Sequence, residues 1–206
     1  MNRTFALALG ILMTTVLSLT GMVLIPEWQS LPLRRSPTVQ VGGEEVVYPE
    51  ALETDLEVPG RLLYMGMGCI YCHSQQVRDP GFGKDVERGW GDRRSVPRDY
   101  LQQAPPLLGT MRTGPDLAHI AGRQPALTWH HLHLFDARTV SKGSIMPPFR
   151  FLYRVVETEA QPPGEAYALP KEYLGHAAWI VPERPAQQIV AYLLSLHQDH
   201  SLEAVQ

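Results

Sequence analysis

Two cysteines are all that the 206 residues contain, and they stand three positions apart as Cys69 and Cys72. A framework of structural disulfides is thereby excluded. A dominant charge of either sign is missing too: 18 Lys and Arg face 21 Asp and Glu, for a formal net charge of −3. The basic excess of a nucleic-acid binder is absent, so no nucleic acid is expected among the partners. No internal repeat and no strand-rich region stand out. Long hydrophobic runs are lacking everywhere except at the N-terminus. Pro (18) and Gly (17) are plentiful, a composition that suits short helices joined by long, shaped loops.

The single long apolar run lies between Arg3 and Glu27. Thr4 to Pro26 carries no charge and is rich in Leu, Ile, Val, Met, Phe and Ala. About 20 such residues suffice to cross the hydrocarbon core as a helix. A cleaved signal peptide would have a shorter core ending in a small-x-small site, and Thr20-Gly21-Met22-Val23-Leu24-Ile25-Pro26 offers none. An uncleaved transmembrane anchor over 1–26 is therefore expected. Arg3 favours an inside N-terminus, whereas Arg34 and Arg35 on the far flank oppose it.

Residues 27–57 read as a linker and strap, and 58–200 as the main domain. A helix is expected from near Val58 or Pro59 into the cysteine pair. From Arg78 to Asp99 half of the residues are charged, with both signs mixed, as in a surface excursion. A short helix is expected over Leu127 to Phe135, a second Pro-rich excursion over 157–170, and a last helix from about Pro185 to His197. Pro185 suits a first helical turn, and Ile189, Tyr192, Leu193 and Leu196 recur at helical spacing.

The cysteines stand in Cys69-Ile70-Tyr71-Cys72-His73, the attachment pattern of a c-type haem. Two thiols at this spacing reach the two vinyl groups of one porphyrin and form thioethers. The following His73 then lies under the iron as its proximal ligand. A thioredoxin-like dithiol would instead follow a strand, and a helical stretch precedes this motif. A zinc site would need a further pair of ligands at recognisable spacing. One covalently bound haem c is thus the expected cofactor. Covalent haem is attached on the outer side of the bacterial inner membrane, so the domain after the anchor is expected there.

The iron's sixth position calls for another ligand. Met146, in Ser144-Ile145-Met146-Pro147-Pro148, is the best candidate, because the two prolines stiffen its loop. A His/Met pair raises the reduction potential. The plain alternative is that Met146 fills a gap in the core. Met65, Met67 and Met111 are weaker candidates. His130, His131 and His133 form a conspicuous cluster, but their spacing does not set all three on one helical face, and they read as surface or hydrogen-bonded histidines.

These motifs together resemble a class I c-type cytochrome: Gly60 to Tyr64, then Gly68 to Ser74, Thr113-Gly114-Pro115-Asp116-Leu117, Met146-Pro147 and Ile189 to Leu193. The resemblance implies that the first and last helices cross, with Gly60 and Tyr64 meeting Tyr192. It also implies that the Pro115 carbonyl orients His73. More closely, Cys72-His73-Ser74-Gln75-Gln76-Val77-Arg78, Arg112 to Leu117, Trp129-His130 and Arg138 ahead of Met146 resemble the monohaem membrane subunit (subunit II) of cbb(3)-type cytochrome c oxidases. Segments 79–99 and 152–180 depart from that pattern.

The fold so implied is all-α: an N-terminal transmembrane helix, then a class I cytochrome c domain with long Pro/Gly-rich loops. The function so implied is a non-catalytic electron relay. It would pass electrons from another cytochrome c, as a subunit or a soluble donor, to the catalytic subunit of a haem–copper oxidase, with membrane lipid around the anchor. Arg112 or Arg138 would neutralise a haem propionate, since Arg suits carboxylate contacts. Readings left open are a subunit of a nitric oxide reductase or a membrane dehydrogenase, a free electron shuttle, and a haem sensor or peroxidase in which Met146 does not bind iron.

Overall fold

The computed structural model describes residues 2–35, 37–109 and 111–205, and only the backbone of Arg35. The chain divides into two units, 1–50 with 96–102 and 204–206, and 51–95 with 103–203.

In the first unit the apolar run is helical from its start. Helix α1 (Arg3–Leu19) opens on Asn2, whose side chain accepts the Thr4 N–H at 3.1 Å, as an N-cap does. A π-turn over Thr20–Leu24 leads into helix α2 (Ile25–Arg35), which carries Pro32 inside it. The helix therefore continues well past Pro26. The run holds hydroxyl side chains, yet these bond within the helix: Thr14 Oγ1 donates to the Gly10 carbonyl at 3.0 Å and Thr15 Oγ1 to the Ile11 carbonyl at 2.9 Å. A hydroxyl satisfied in this way lowers the cost of entering lipid. The span Arg3–Arg34 is long and apolar enough to cross a membrane and has no side of its 18-residue apolar window buried. Arg34 pairs with Glu27 through two bonds of 2.9 and 3.0 Å, while the Arg35 side chain lies outside the described residues. Strands β1 (Thr38–Val41) and β2 (Glu44–Val47) then form an antiparallel hairpin. Gly42 and Gly43 turn it with φ of 61° and 91°, values a two-residue hairpin loop requires and glycine supplies freely.

The second unit is built on two crossing helices, α3 (Glu57–Gly66) and, at the far end of the chain, α7 (Arg184–Leu194). Gly60 makes the crossing possible. A Cβ there would sit 1.9 Å from the Gln188 carbonyl oxygen and 2.9 Å from Tyr192 Cβ. Tyr64 meets Tyr192 edge-on, with ring centroids 5.4 Å apart. Along α7 the buried stripe is Ala186, Ile189, Val190, Tyr192 and Leu193. Between the two helices in sequence come α4 (Ile120–Arg123), α5 (Leu127–Phe135) and α6 (Lys171–Leu174). The core joins residues of α3, α5 and α7 with Leu107, Leu117, Leu152 and Ile180.

The all-α expectation needs amending. Besides the hairpin there is a three-stranded antiparallel sheet in the order β3 (Tyr153–Val156), β5 (Trp179–Pro182), β4 (Tyr167–Ala168). Only β4 falls within the 157–170 stretch expected as a Pro-rich excursion; β3 and β5 flank it. The strands are two to four residues long and pair across distant stretches, Val155 with Ile180 and Tyr167 with Ile180. Neither property leaves a local periodic signal.

Candidate haem-binding site

Helix α3 ends at Gly66, and Gly68, at φ 80°, turns the chain into a short 3-10 turn over Cys69–Tyr71. The His73 and Cys72 amides both donate to the Cys69 carbonyl, at 3.0 and 3.2 Å. This winding gathers both thiols and the imidazole on a single turn. Cys69 and Cys72 are free. Burial pushes the Cys69 thiol up to about 11, so it is protonated.

The Thr113–Leu117 loop is fastened alongside. The Gly114 amide donates to the Cys72 carbonyl (2.9 Å) and the Leu117 amide to the Ser74 carbonyl (2.8 Å). Fully buried Asp116 accepts from Ser74 Oγ at 2.5 Å and from the Gln76 amide at 2.8 Å. These bonds bring the Pro115 carbonyl to His73, whose Nδ1–H donates to it at 2.7 Å. Burial lowers the His73 pKa, with the Pro115 bond opposing. The ring is thus a neutral imidazole whose proton sits on Nδ1, leaving the Nε2 lone pair for a metal. Gly114 lets the ring lie against the loop, since a Cβ there would come 2.3 Å from His73 Cε1.

A cavity of about 600 Å³ lies beside this turn, within the roughly 300–1,000 Å³ usual for cofactor sites. Cys69, Cys72, His73, Pro115 and Met146 all line it, and its wall is completed by apolar residues such as Leu117, Ile120, Ile189 and Leu193. Of the residues expected from sequence, these five are brought together. Arg112 and Arg138 do not line it. Arg112 bonds Asp85 at 2.5 Å and lies 3.5 Å from Asp116, and it also donates to the Gln76 carbonyl. Arg138 bonds Asp136 at 2.9 Å. Each guanidinium is engaged with a buried carboxylate.

Arg123, which the sequence does not single out, also lines the cavity, and so do His130 and His133, expected as surface or hydrogen-bonded histidines. Arg123 donates to the Asp116 carbonyl at 3.0 Å. It lies seven residues beyond Asp116, and nothing in the sequence around it marks which way it faces. The histidine cluster splits. His130 and His133, one turn apart on α5, face the cavity, whereas buried His131 meets the Tyr153 hydroxyl at 3.1 Å and Glu165 at 3.3 Å. His130 and His131 are buried and bonded, His130 through Nε2 to the Gln124 carbonyl at 2.7 Å. His133 stacks on Trp129 at 4.5 Å, and its buried Nδ1 has no partner.

This donor set fits a haem. Two free thiols, a neutral imidazole with its orienting bond already made, and a thioether share an apolar cavity with an arginine and an unpartnered ring nitrogen. A zinc reading gains no support: among the described residues no group of three or more His, Cys, Asp or Glu stands ready to hold a metal ion.

An apolar N-terminal helix ahead of a cavity lined by two thiols, an imidazole and a thioether is the arrangement a membrane-anchored monohaem protein would have. The model of the family described as cytochrome c oxidase, mono-heme subunit/FixO matches residues 3–169, and the chain belongs to that family. Membership implies one haem, a membrane anchor and a place in an oxidase complex with a catalytic subunit. No curated protein matches the chain.

Proposed function

We infer that the chain is the electron-relay subunit of a cbb(3)-type haem–copper oxidase, receiving electrons from another cytochrome c and delivering them to the catalytic subunit. In this reading Cys69 and Cys72 would hold one haem c through thioethers, and His73 and Met146 would bind its iron. When bound, the haem supplies the one-electron iron couple, and the chain supplies position and potential. Pro115 keeps the His73 proton on Nδ1. Apolar Leu117, Ile120, Ile189 and Leu193 exclude water. The propionate-neutralising role expected of Arg112 and Arg138 passes to Arg123, the arginine of the cavity wall. The haem domain lies on the outer side of the inner membrane, because covalent c-type haem is attached there; the flanking arginines, Arg3 on one side and Arg34 and Arg35 on the other, do not decide the orientation.

The observation that carries the reading is the meeting of both thiols, His73 and Met146 in one cavity, with His73 Nδ1 already tied to Pro115. Purification from membranes in mild detergent tests it. The expected result is a c-type haem that stays with this chain under denaturing electrophoresis, together with a co-purifying haem–copper subunit. A lone soluble monohaem species would overturn it.

A further inference from the structure

The loop that carries Met146 leaves α5 at Asp136 and returns at Arg150, and its two ends are fastened together. The Asp136 amide closes α5 by donating to the Leu132 carbonyl at 3.0 Å. Its carboxylate is only 2% exposed as a residue and meets four donors. Oδ1 accepts from the Arg138 amide (3.1 Å) and from Arg138 Nη1 (2.9 Å). Oδ2 accepts from Arg150 Nη2 (2.7 Å) and from the Tyr173 hydroxyl (2.8 Å). The backbone closes the same neck, with the Phe149 amide donating to the Leu134 carbonyl at 2.9 Å. The Arg150 guanidinium also lies over the Phe135 ring at 5.9 Å and the Tyr173 ring at 5.5 Å.

The tip of the loop is only partly covered, although Val140, Met146 and Phe149 pack against the core. Ile145 is 75% exposed and Met146 only partly buried. Beyond its neck, the loop is held locally by Thr139 Oγ1 to the Leu132 carbonyl (3.1 Å) and the Met146 amide to Ser144 Oγ (3.2 Å). A buried carboxylate is costly unless its oxygens are fully bonded, and here the bonds are spent on joining the two ends of one loop. One donor comes from outside the loop. Tyr173 stands on α6, in the segment that departs from the expected pattern and beyond the residues the family model matches.

We propose that Asp136 is a positioning residue for Met146: with Arg150 and Tyr173 it clasps the neck of loop 136–150 and keeps the thioether at the cavity, with the segment bearing Tyr173 acting as its brace. The proposal rests on Met146 being the sixth ligand. Asp136 does not line the cavity and acts only through the loop.

The test uses the full haem-loaded chain in detergent, in the ferric state, with imidazole as the probe. Imidazole takes the sixth position only when Met146 leaves, so its apparent affinity reads the loop-opening equilibrium. Tyr173→Phe and Arg150→Gln each remove one bond to the Asp136 carboxylate. Each is expected to tighten apparent imidazole binding by about 10-fold and to bring forward, on warming, the loss of the weak red-edge methionine–iron band. Tyr167→Phe is the control: it removes a 2.6 Å bond from the same segment to Glu165 without touching the neck, and is expected to bind imidazole as the parent does. Parent-like affinity in both neck variants would overturn the clasp. So would an equal rise in all three, which would indicate general softening. A parent protein that lacks the methionine band altogether would overturn Met146 ligation itself, a result distinct from failure of the clasp.

Discussion

At the scale of single residues, the site separates what is covalently patterned from what is oriented by neighbours. The two thiols and His73 are adjacent in sequence, so their meeting needs only one turn of backbone. The tautomer of His73 and the presence of Met146 are set by residues some forty and seventy positions away, which local pattern reaches only through a resemblance. Met146→His is expected to keep the haem, abolish the red-edge band and lower the midpoint potential by on the order of 0.1 V or more, within the about 0.8 V that axial ligands span. Redox titration with parallel spectra checks it; an unchanged potential and band would show that another residue holds the sixth position. Arg123 was overlooked at this scale because a lone arginine says nothing of which way it faces. Arg112 and Arg138 drew attention by standing next to motifs, yet Asp85 and Asp136, not readable as partners from sequence, engage them.

At the scale of elements, helices were legible and strands were not. Helix α5 spans Leu127–Phe135 as expected. The α7 stripe follows a 3.6-residue period that burial against α3 demands, though the helix ends at Leu194 rather than near His197. Gly42-Gly43 between valine-rich stretches was a hairpin signal open to reading. The β3–β5 pairing was not, because antiparallel partners more than twenty residues apart leave no local trace. The α3–α7 crossing carries its own prediction. Gly60→Ala presses a methyl group into the Gln188 backbone, which has no rotamer to yield, so a destabilisation of about 1–3 kcal/mol is expected from overpacking. A clearly lowered thermal midpoint would be the sign of it, and a midpoint equal to the parent's would show that the helices separate freely.

At the scale of the whole molecule, every residue lining the haem cavity belongs to the 51–95 and 103–203 unit, and the membrane-competent helix to the other. Replacing residues 1–35 with a cleavable export signal is therefore expected to yield a soluble protein that keeps the haem spectrum; loss of haem from that exported protein would count against the division. The pH response also belongs to this scale. Burial lowers the pKa of His131, with Glu165 opposing, and of His130, with the Gln124 carbonyl opposing. Both rings stay neutral in the fold while the unfolded chain protonates near pH 6.5. The unfolded state thus binds more protons below that pH, and stability falls as pH drops, by up to about 1.4 kcal/mol per unit for each ring. Asp136 acts later. Burial raises its pKa, but the bonds from Arg150, Tyr173 and Arg138 outweigh this and hold it well below the usual carboxylate range. Its contribution is full above about pH 3.9 and is lost as pH falls through the folded value. Thermal unfolding followed from pH 7.5 to 3 should show the decline beginning near 6.5, and His131→Gln should flatten its first part; a flat parent profile down to pH 4 would refute the buried-neutral histidines.

The sequence by itself determined the apolar N-terminal helix, the Cys69–His73 turn and the two principal helices, because length, adjacency and a short period are local quantities written directly in residue order. Only the tertiary structure decided that Arg123 rather than Arg112 or Arg138 faces the cavity, that 153–182 carries a sheet, and that Asp136 ties off the Met146 loop. Each of these depends on which distant partner satisfies a buried polar group or an unpaired strand edge, and that choice exists only once the chain has folded.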